Sequence, residues 1–287
     1  MPDDETPERT DLQEAGAMTT TDHELAAQLA VSAGRVLLAL REQIADVPPA
    51  ELKDRGDAAA HEHLLAELAR LRPADAVLSE EGADDPVRLS SDRVWIVDPL
   101  DGTREFSERD PDGAWRTDWA VHVALWERGA GLTAGAVALP GRDEVFSTGE
   151  PSRRPVSGPG PLRLAVSRSR PPTLIAQLAA LADVELVPMG SAGVKAMSVL
   201  TGQCDAYVHG GGQYEWDSAA PVAVATAAGL FCSRLDGSDL EYNRENPWLP
   251  DLVVCETHRS ADLLDLIARA TGTGDAGPAP AKENAAP

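Results

Sequence analysis

Apolar positions recur at helical spacing from residue 21 onward. In ELAAQLAVSAGRVLLALREQI, Leu25, Leu29, Ala33, Val36, Leu37 and Leu40 fall on one face, and Thr21 and Asp22 offer N-cap chemistry just ahead of it. A second helical stretch, about 57 to 71, carries Leu64, Leu65, Leu68 and Leu71 and ends before Pro73. From AVLSEEG the period shortens. The apolar runs 76–79, 94–97, 119–126, 131–139 and 144–147 predict strands, some joined as antiparallel hairpins through glycine. The stretch GEPSRRPVSGPGP, 149 to 161, breaks the pattern and places a boundary between an α+β half, 21–150, and a second half, 151–271. In the second half, strands at 162–166, 184–188, 205–208, near 230–235 and near 252–255 alternate with helices at 171–182, 190–202, 216–229 and 259–271. Such alternation predicts an α/β layer. Residues 1–20 and 272–287 have little apolar periodicity and are expected to be flexible tails.

Charge and composition narrow the partners. The 287-residue chain carries a formal charge of −22, which argues against a phosphate-rich polymer, because nucleic acid binding needs Lys and Arg to neutralise phosphates. A small anion remains an acceptable ligand if a metal or a local cation supplies the positive charge. The three cysteines, Cys204, Cys232 and Cys255, are far apart and odd in number, so neither a disulfide framework nor a zinc site is expected. No apolar run approaches membrane-spanning length and the start is acidic, so a soluble, cytoplasmic protein is expected.

The candidate chemistry lies in carboxylates. In VWIVDPLDGTREF the strand-like run Val94 to Val97 stops at Asp98, and Asp101 follows in a turn framed by Pro and Gly. Two carboxylates flanking a tight turn can aim their oxygens at one point, with a cation offsetting their repulsion. An ordinary turn is the alternative, since all three residue types favour turns. SEEG places Glu80 and Glu81 at the end of another apolar run, where a solvated loop is the alternative. Asp57, at the predicted start of the second helix, and Asp217, the first polar group of AAPVAVATAAG's helix, each have a plain N-cap as alternative. Taken together they are what a hard-cation site requires. Oxygen donors without a Cys or His cluster favour Mg²⁺ over zinc, and Mg²⁺ commonly shares its shell with a phosphate. Phosphoryl chemistry through two or more ions follows. The aspartates stand three apart, unlike the Asp-x-Asp nucleophile of haloacid-dehalogenase-type phosphatases, which disfavours a phospho-aspartate.

SEE, WIVDPLDGTREF, GSAGVKAMSVLTGQCDAY and EWDSAA resemble, in order and spacing, the inositol monophosphatase-like superfamily of Mg²⁺-dependent, lithium-sensitive phosphatases, over about 22 to 260. DGTREF and QYEWDSAAPVAVATAAG look most like its 3'(2'),5'-bisphosphate nucleotidases of the CysQ type. The resemblance implies a layered αβαβα sandwich, two to three Mg²⁺ ions, and removal of the 3'-phosphate of adenosine 3',5'-bisphosphate by metal-activated water, linked to sulfate assimilation. It implies Glu80, Asp98, Asp101 and the Leu100 carbonyl as primary metal ligands, Asp217 as a ligand shared with a second ion, and Asp57 beside a third. The family's S-P-V-T-x-A-D run is replaced by KDRGDAAAHEH, so Asp57 is aligned by spacing. Asp57, Glu80 and Thr103 would position the attacking water. Gly102 and Thr103 resemble the phosphate-contacting turn, and Gly190, Ser191, Ala192 and Lys195 the loop that meets the sugar; a Ser-capped helix start is the alternative for the latter.

Arg104 and Arg168 are candidate partners of a second phosphate, against an alternative of surface arginine. Tyr214 and Trp216 are candidates for an adenine pocket, against packing. His61 and His63 are expected to face solvent on the second helix, and EGADDP, 81–86, to be a solvated loop. Inositol-1-phosphatase or fructose-1,6-bisphosphatase activity is the alternative within the superfamily, and a non-catalytic phosphate-ligand sensor the alternative outside it. Relatives are often dimeric, which makes a homodimer one expectation.

Overall fold

The computed structural model describes residues 20–151, 158, 160–169 and 171–272. The expected tails, residues 20 and 272 apart, and the centre of the 149–161 break lie outside the described residues.

Two helices cover one face of the first sheet. α1 (Asp22–Gln43) opens with a capping box: Thr21 Oγ1 accepts from the Glu24 amide at 3.2 Å, and Glu24 Oε2 accepts from the Thr21 amide at 2.9 Å. α2 (Pro49–Leu71) starts eight residues earlier than its leucine pattern predicts. Proline suits the first helical position, and Leu52 and Gly56 already face the core there. Asp57 is therefore in the helix interior, and the N-cap reading of it does not hold.

The first sheet has the order β1 (Ala76–Ser79), β2 (Arg93–Asp101), β3 (Ala120–Glu127), β4 (Gly131–Leu139), β5 (Glu144–Ser147), with β1 and β2 parallel and the rest antiparallel. Its side chains alternate between two cores. Trp95 and Val97 on β2, and Val121, Val123 and Leu125 on β3, pack under α1 and α2 with Leu25, Leu29, Leu64 and Leu68. Val94, Ile96, Ala120 and Ala124 face the other way, toward α5 (Ala192–Leu200) and α6 (Glu215–Ala227). Each fully buried leucine of these cores contributes about 1.5–3 kcal/mol.

The second sheet runs β7 (Val184–Met189), β6 (Leu162–Ser167), β8 (Ala206–Tyr214), β10 (Trp248–Glu256), β9 (Leu230–Ser233). β6 is parallel to both neighbours and β10 antiparallel to both of its own. One face shares the α5/α6 core with the first sheet; the other is covered by α4 (Thr173–Leu181) and α7 (Ser260–Thr271). The result is the five-layer αβαβα sandwich. Apart from the early start of α2, predicted strands and helices reappear within a few residues of their expected bounds, with β2, β8 and β10 extended by several. Among the described residues no helix is long and apolar enough to cross a membrane.

Candidate active site

Side chains alternate along a strand, so two residues three apart should face opposite sides of a sheet. Asp98 and Asp101 escape that rule through a bulge. Asp98 pairs with His122 and Asp101 with Ala120, so β2 holds one residue more than β3 between these pairs. Pro99, which has no amide hydrogen to offer a ladder, lies in the bulge. Both carboxylates then point toward the α5/α6 layer. The bulge is fixed locally by the Leu100 amide donating to Asp98 Oδ1 at 3.0 Å. The chain turns at once into α3 (Thr103–Ser107) through Gly102, whose φ of 89° is a left-handed conformation that other residues adopt only at a cost.

Asp217, in the first turn of α6, completes a trio: one carboxylate oxygen each from Asp98, Asp101 and Asp217 lie within 4.8 Å of one another. Asp217 is not the N-cap, which is Tyr214, but the third residue of the helix, and its side chain reaches back to accept from the Tyr214 amide at 2.6 Å. Glu80, just past β1, stands at the rim. The residue as a whole is exposed, but its carboxylate turns inward, shares a hydrogen bond with Asp98 and borders the cavity that Asp101 and Asp217 line. Asp57 comes in from α2 and hydrogen-bonds Thr103, whose hydroxyl lies 3.2 Å from the Leu100 carbonyl oxygen.

Like charges packed together resist ionisation. Burial and the neighbouring Glu80, Asp101 and Asp217 hold Asp98 well above the ordinary carboxylate range. Burial, then Asp217, lifts Glu80 to about 7. Burial and Asp101 lift Asp217 to about 6, and burial with Glu81 and Asp54 lifts Asp57 to about 7. Asp101 is the exception. Burial would raise it, but His122, Lys195 and Ser191 outweigh that and hold it below the usual range. Its Oδ2 takes the Ser191 hydroxyl and the Gly193 amide, the latter at 2.7 Å, with His122 Nε2 at 3.2 Å.

A ring of oxygen donors that repel one another and have no protein cation in their midst fits a hard divalent ion better than a soft one. His122 contacts Asp101 on the oxygen that Ser191 and Gly193 already hold, and Lys195 Nζ is bound by the Gly190 and Ser191 carbonyls. Asp98, Asp101, Asp217 and Glu80 are the residues that would hold such an ion, with Asp57 toward an adjoining acidic hollow it shares with Asp54 and Glu81.

Ser191 and Ala192, at the start of α5, and Lys195 line the same cavity of about 670 Å³. Ser191 Oγ accepts from the Val194 amide at 3.1 Å while its hydrogen goes to Asp101, so the helix cap also braces the carboxylate. Lys195 Nζ donates to the Gly190 and Ser191 carbonyls, to Gly190 at 3.1 Å. Gly190 itself is set back, giving its amide to Asp118 at 2.6 Å. Arg104 does not border the cavity. It lies on the exposed side of α3 and pairs with Glu108 at 2.8 Å. Arg168 is held by Asp118 and, at 3.4 Å, by Glu105. Tyr214 and Trp216 do line the cavity and stack, with centroids 4.7 Å apart and planes 8° apart.

His61 and His63 depart from expectation. Both are half-buried, His61 against Ser79 Oγ at 2.9 Å and His63 against Ser32 Oγ at 2.8 Å. The 81–86 loop is exposed, but Asp84 holds the buried Arg88 at 2.6 Å. His122 and Asp118 carry no motif that sequence reasoning picks out. The available signal for His122 is a lone polar residue on the inward phase of the apolar run AVHVALW.

The chain matches the Inositol monophosphatase family over residues 18–272. It is 51% identical over 258 residues to the 3'-phosphoadenosine 5'-phosphate phosphatase of Mycobacterium leprae, covering 86% of this chain and 93% of that protein. It is 31% identical to the 3'(2'),5'-bisphosphate nucleotidase CysQ of Escherichia coli, over 67% of this chain and 80% of that one. Among solved structures, CysQ from Bacteroides thetaiotaomicron superposes with a TM-score of 0.67 at 29% identity, over 81% of this chain and 96% of that one.

Proposed function

The chain belongs to the inositol monophosphatase family and is a phosphatase, and from that premise we propose that it removes the 3'-phosphate of adenosine 3',5'-bisphosphate in a Mg²⁺-dependent reaction. The observation that supports this most directly is the carboxylate trio of Asp98, Asp101 and Asp217, whose Asp101 and Asp217 line one cavity with Glu80 and the Tyr214–Trp216 stack. That cavity offers a place for a phosphate at one end and for a flat base at the other. The names of the relatives supply the nucleotide, and cytoplasmic sulfate assimilation is the setting that goes with it.

Two to three Mg²⁺ ions held by the ring would lower the pKa of a water and neutralise charge on the phosphoryl oxygens. The protein's share is positional. Asp98, Asp101 and Asp217 arrive on two rigid elements, the bulged end of β2 and the first turn of α6. Thr103 and Asp57 stand as a hydrogen-bonded pair beside Leu100, where the hydroxyl can orient a water and the carboxylate take its proton. Water attacks phosphorus in line, a new P–O bond forms, the bond to the ribose 3'-oxygen breaks, and that oxygen leaves with a proton. Lys195, although its own pKa is pushed down by burial, favours the ionised form of Asp101 through its charge.

Comparing kcat/KM for adenosine 3',5'-bisphosphate, inositol 1-phosphate and fructose 1,6-bisphosphate tests the substrate. The nucleotide should lead by a large factor; a lead by inositol 1-phosphate would sink the assignment.

A further inference from the structure

The end of the cavity away from the carboxylates is built differently. It is floored by β8 and β10, where Gly210, Gly211 and Gly212 leave bare backbone. Tyr214 and Trp248 are 45% and 46% exposed, and among the described residues they are the only aromatics counted with the exposed large apolar side chains. Both line this cavity. They are also direct partners across the β8–β10 ladder, so their side chains rise from the same face.

Their placement is fixed from beneath. The Trp248 indole lies against Gly212, whose missing Cβ would sit 2.6 Å from its Nε1. Tyr214 is backed by the stacked ring of Trp216. The segment leading to Trp248 is tied to the helix that carries Asp217. Glu215 accepts from the Asn243 and Arg244 amides at 2.7 and 2.9 Å, and donates its own amide to the Pro247 carbonyl at 2.8 Å. Trp248 is thereby held in a set relation to a metal-binding carboxylate. Gln213, between Tyr214 and the glycines, is 7% exposed, and both polar atoms of its amide lack a protein partner.

We propose that Trp248, with Tyr214, is the platform that seats the purine of the substrate, and that it separates nucleotides from base-free phosphomonoesters. This deepens the reading given above and rests on it. Exposed aromatic faces stack readily with a nucleobase, and a base-free phosphomonoester brings no base to stack. The carboxylate end serves any phosphomonoester. Discrimination therefore has to come from the aromatic end.

The test is W248A and W248F, each assayed with adenosine 3',5'-bisphosphate and with inositol 1-phosphate under saturating Mg²⁺. Loss of a stacking partner should lower kcat/KM for the nucleotide by about tenfold or more, through KM, while W248F retains most of it. Activity on inositol 1-phosphate should stay within about twofold, and the melting temperature should hold because the indole is half exposed. An unchanged nucleotide KM in W248A, or equal losses on both substrates, overturns the platform. If the wild-type enzyme prefers inositol 1-phosphate, the substrate assignment itself fails, and the platform with it; a nucleotide-preferring enzyme indifferent to Trp248 refutes the platform alone.

Discussion

His122 is fully buried between two oxygens, with Nδ1 3.1 Å from the Trp216 carbonyl and Nε2 3.2 Å from Asp101 Oδ2. It joins β3 to the first turn of α6 and steadies the one carboxylate of the ring that stays ionised without metal. Gly193 makes room for it: a Cβ there would fall 2.2 Å from Nε2. A residue that supports a metal ligand from behind is typically worth roughly 10–100-fold in metal affinity or activity. H122A should therefore raise the Mg²⁺ concentration needed for half-maximal activity by a factor in that range. Equal Mg²⁺ curves for variant and wild type would remove His122 from the support of Asp101. D101N, which changes the proposed ligand itself, should lose more than that while keeping its circular dichroism spectrum, and an active D101N would take Asp101 out of the proposed metal shell. The carboxylates are readable in sequence because Asp next to Pro and Gly at a strand end is a visible pattern. His122 is not, because its role depends on a partner ninety-four residues away in the chain.

At the level of elements, the site depends on how β2 ends. The bulge brings Asp98 and Asp101 to one face, and Gly102 then redirects the chain within a single residue. A side chain at Gly102 would meet the left-handed penalty of about 1–2 kcal/mol. Its Cβ would also crowd Ser191 and Trp119, whose nearest atoms would lie 3.2 and 3.3 Å away. G102A should lower the urea midpoint accordingly and cost activity beyond that, since Ser191 is the hydroxyl that binds Asp101. A variant as stable and active as wild type would show that the turn tolerates another geometry. Strand and helix periodicities predict most elements. The start of α2 escapes them because Pro49 to Asp57 contains one core leucine, Leu52, and a glycine, and so has no apolar rhythm of its own. Its helical state is imposed by packing: a Cβ at Gly56 would lie 2.7 Å from the Phe106 ring. That same packing carries Asp57 to Thr103, which is why spacing locates Asp57 while its local setting misleads.

Over the whole molecule, the two sheets are welded through the α5/α6 layer, and the carboxylate ring sits where β2, α5 and α6 meet. Folding without metal therefore forces acids together, and stability should report it. Asp98 lies well above its ordinary pKa, Glu80 and Asp57 stand at about 7, and Asp217 at about 6. For a carboxyl group raised in the folded state, the folded protein keeps a proton that the unfolded chain has already lost. Stability is then greatest below the unfolded value, near 4, and is lost as pH rises toward the folded one. His122, also raised, adds in the same direction, whereas Asp101 is depressed and its contribution is lost only in acid. The metal-free protein should accordingly melt at a lower temperature at pH 8 than at pH 5.5. Excess Mg²⁺ should lift the pH 8 value most, because the cation replaces protons on the same oxygens and releases them on binding. Calorimetry in buffers of different ionisation enthalpy would count that release at pH 6.5. A melting temperature that climbs from pH 5.5 to 8 without metal, or Mg²⁺ binding with no proton release, would mean that the ring is already neutralised by the protein and is not waiting for a cation.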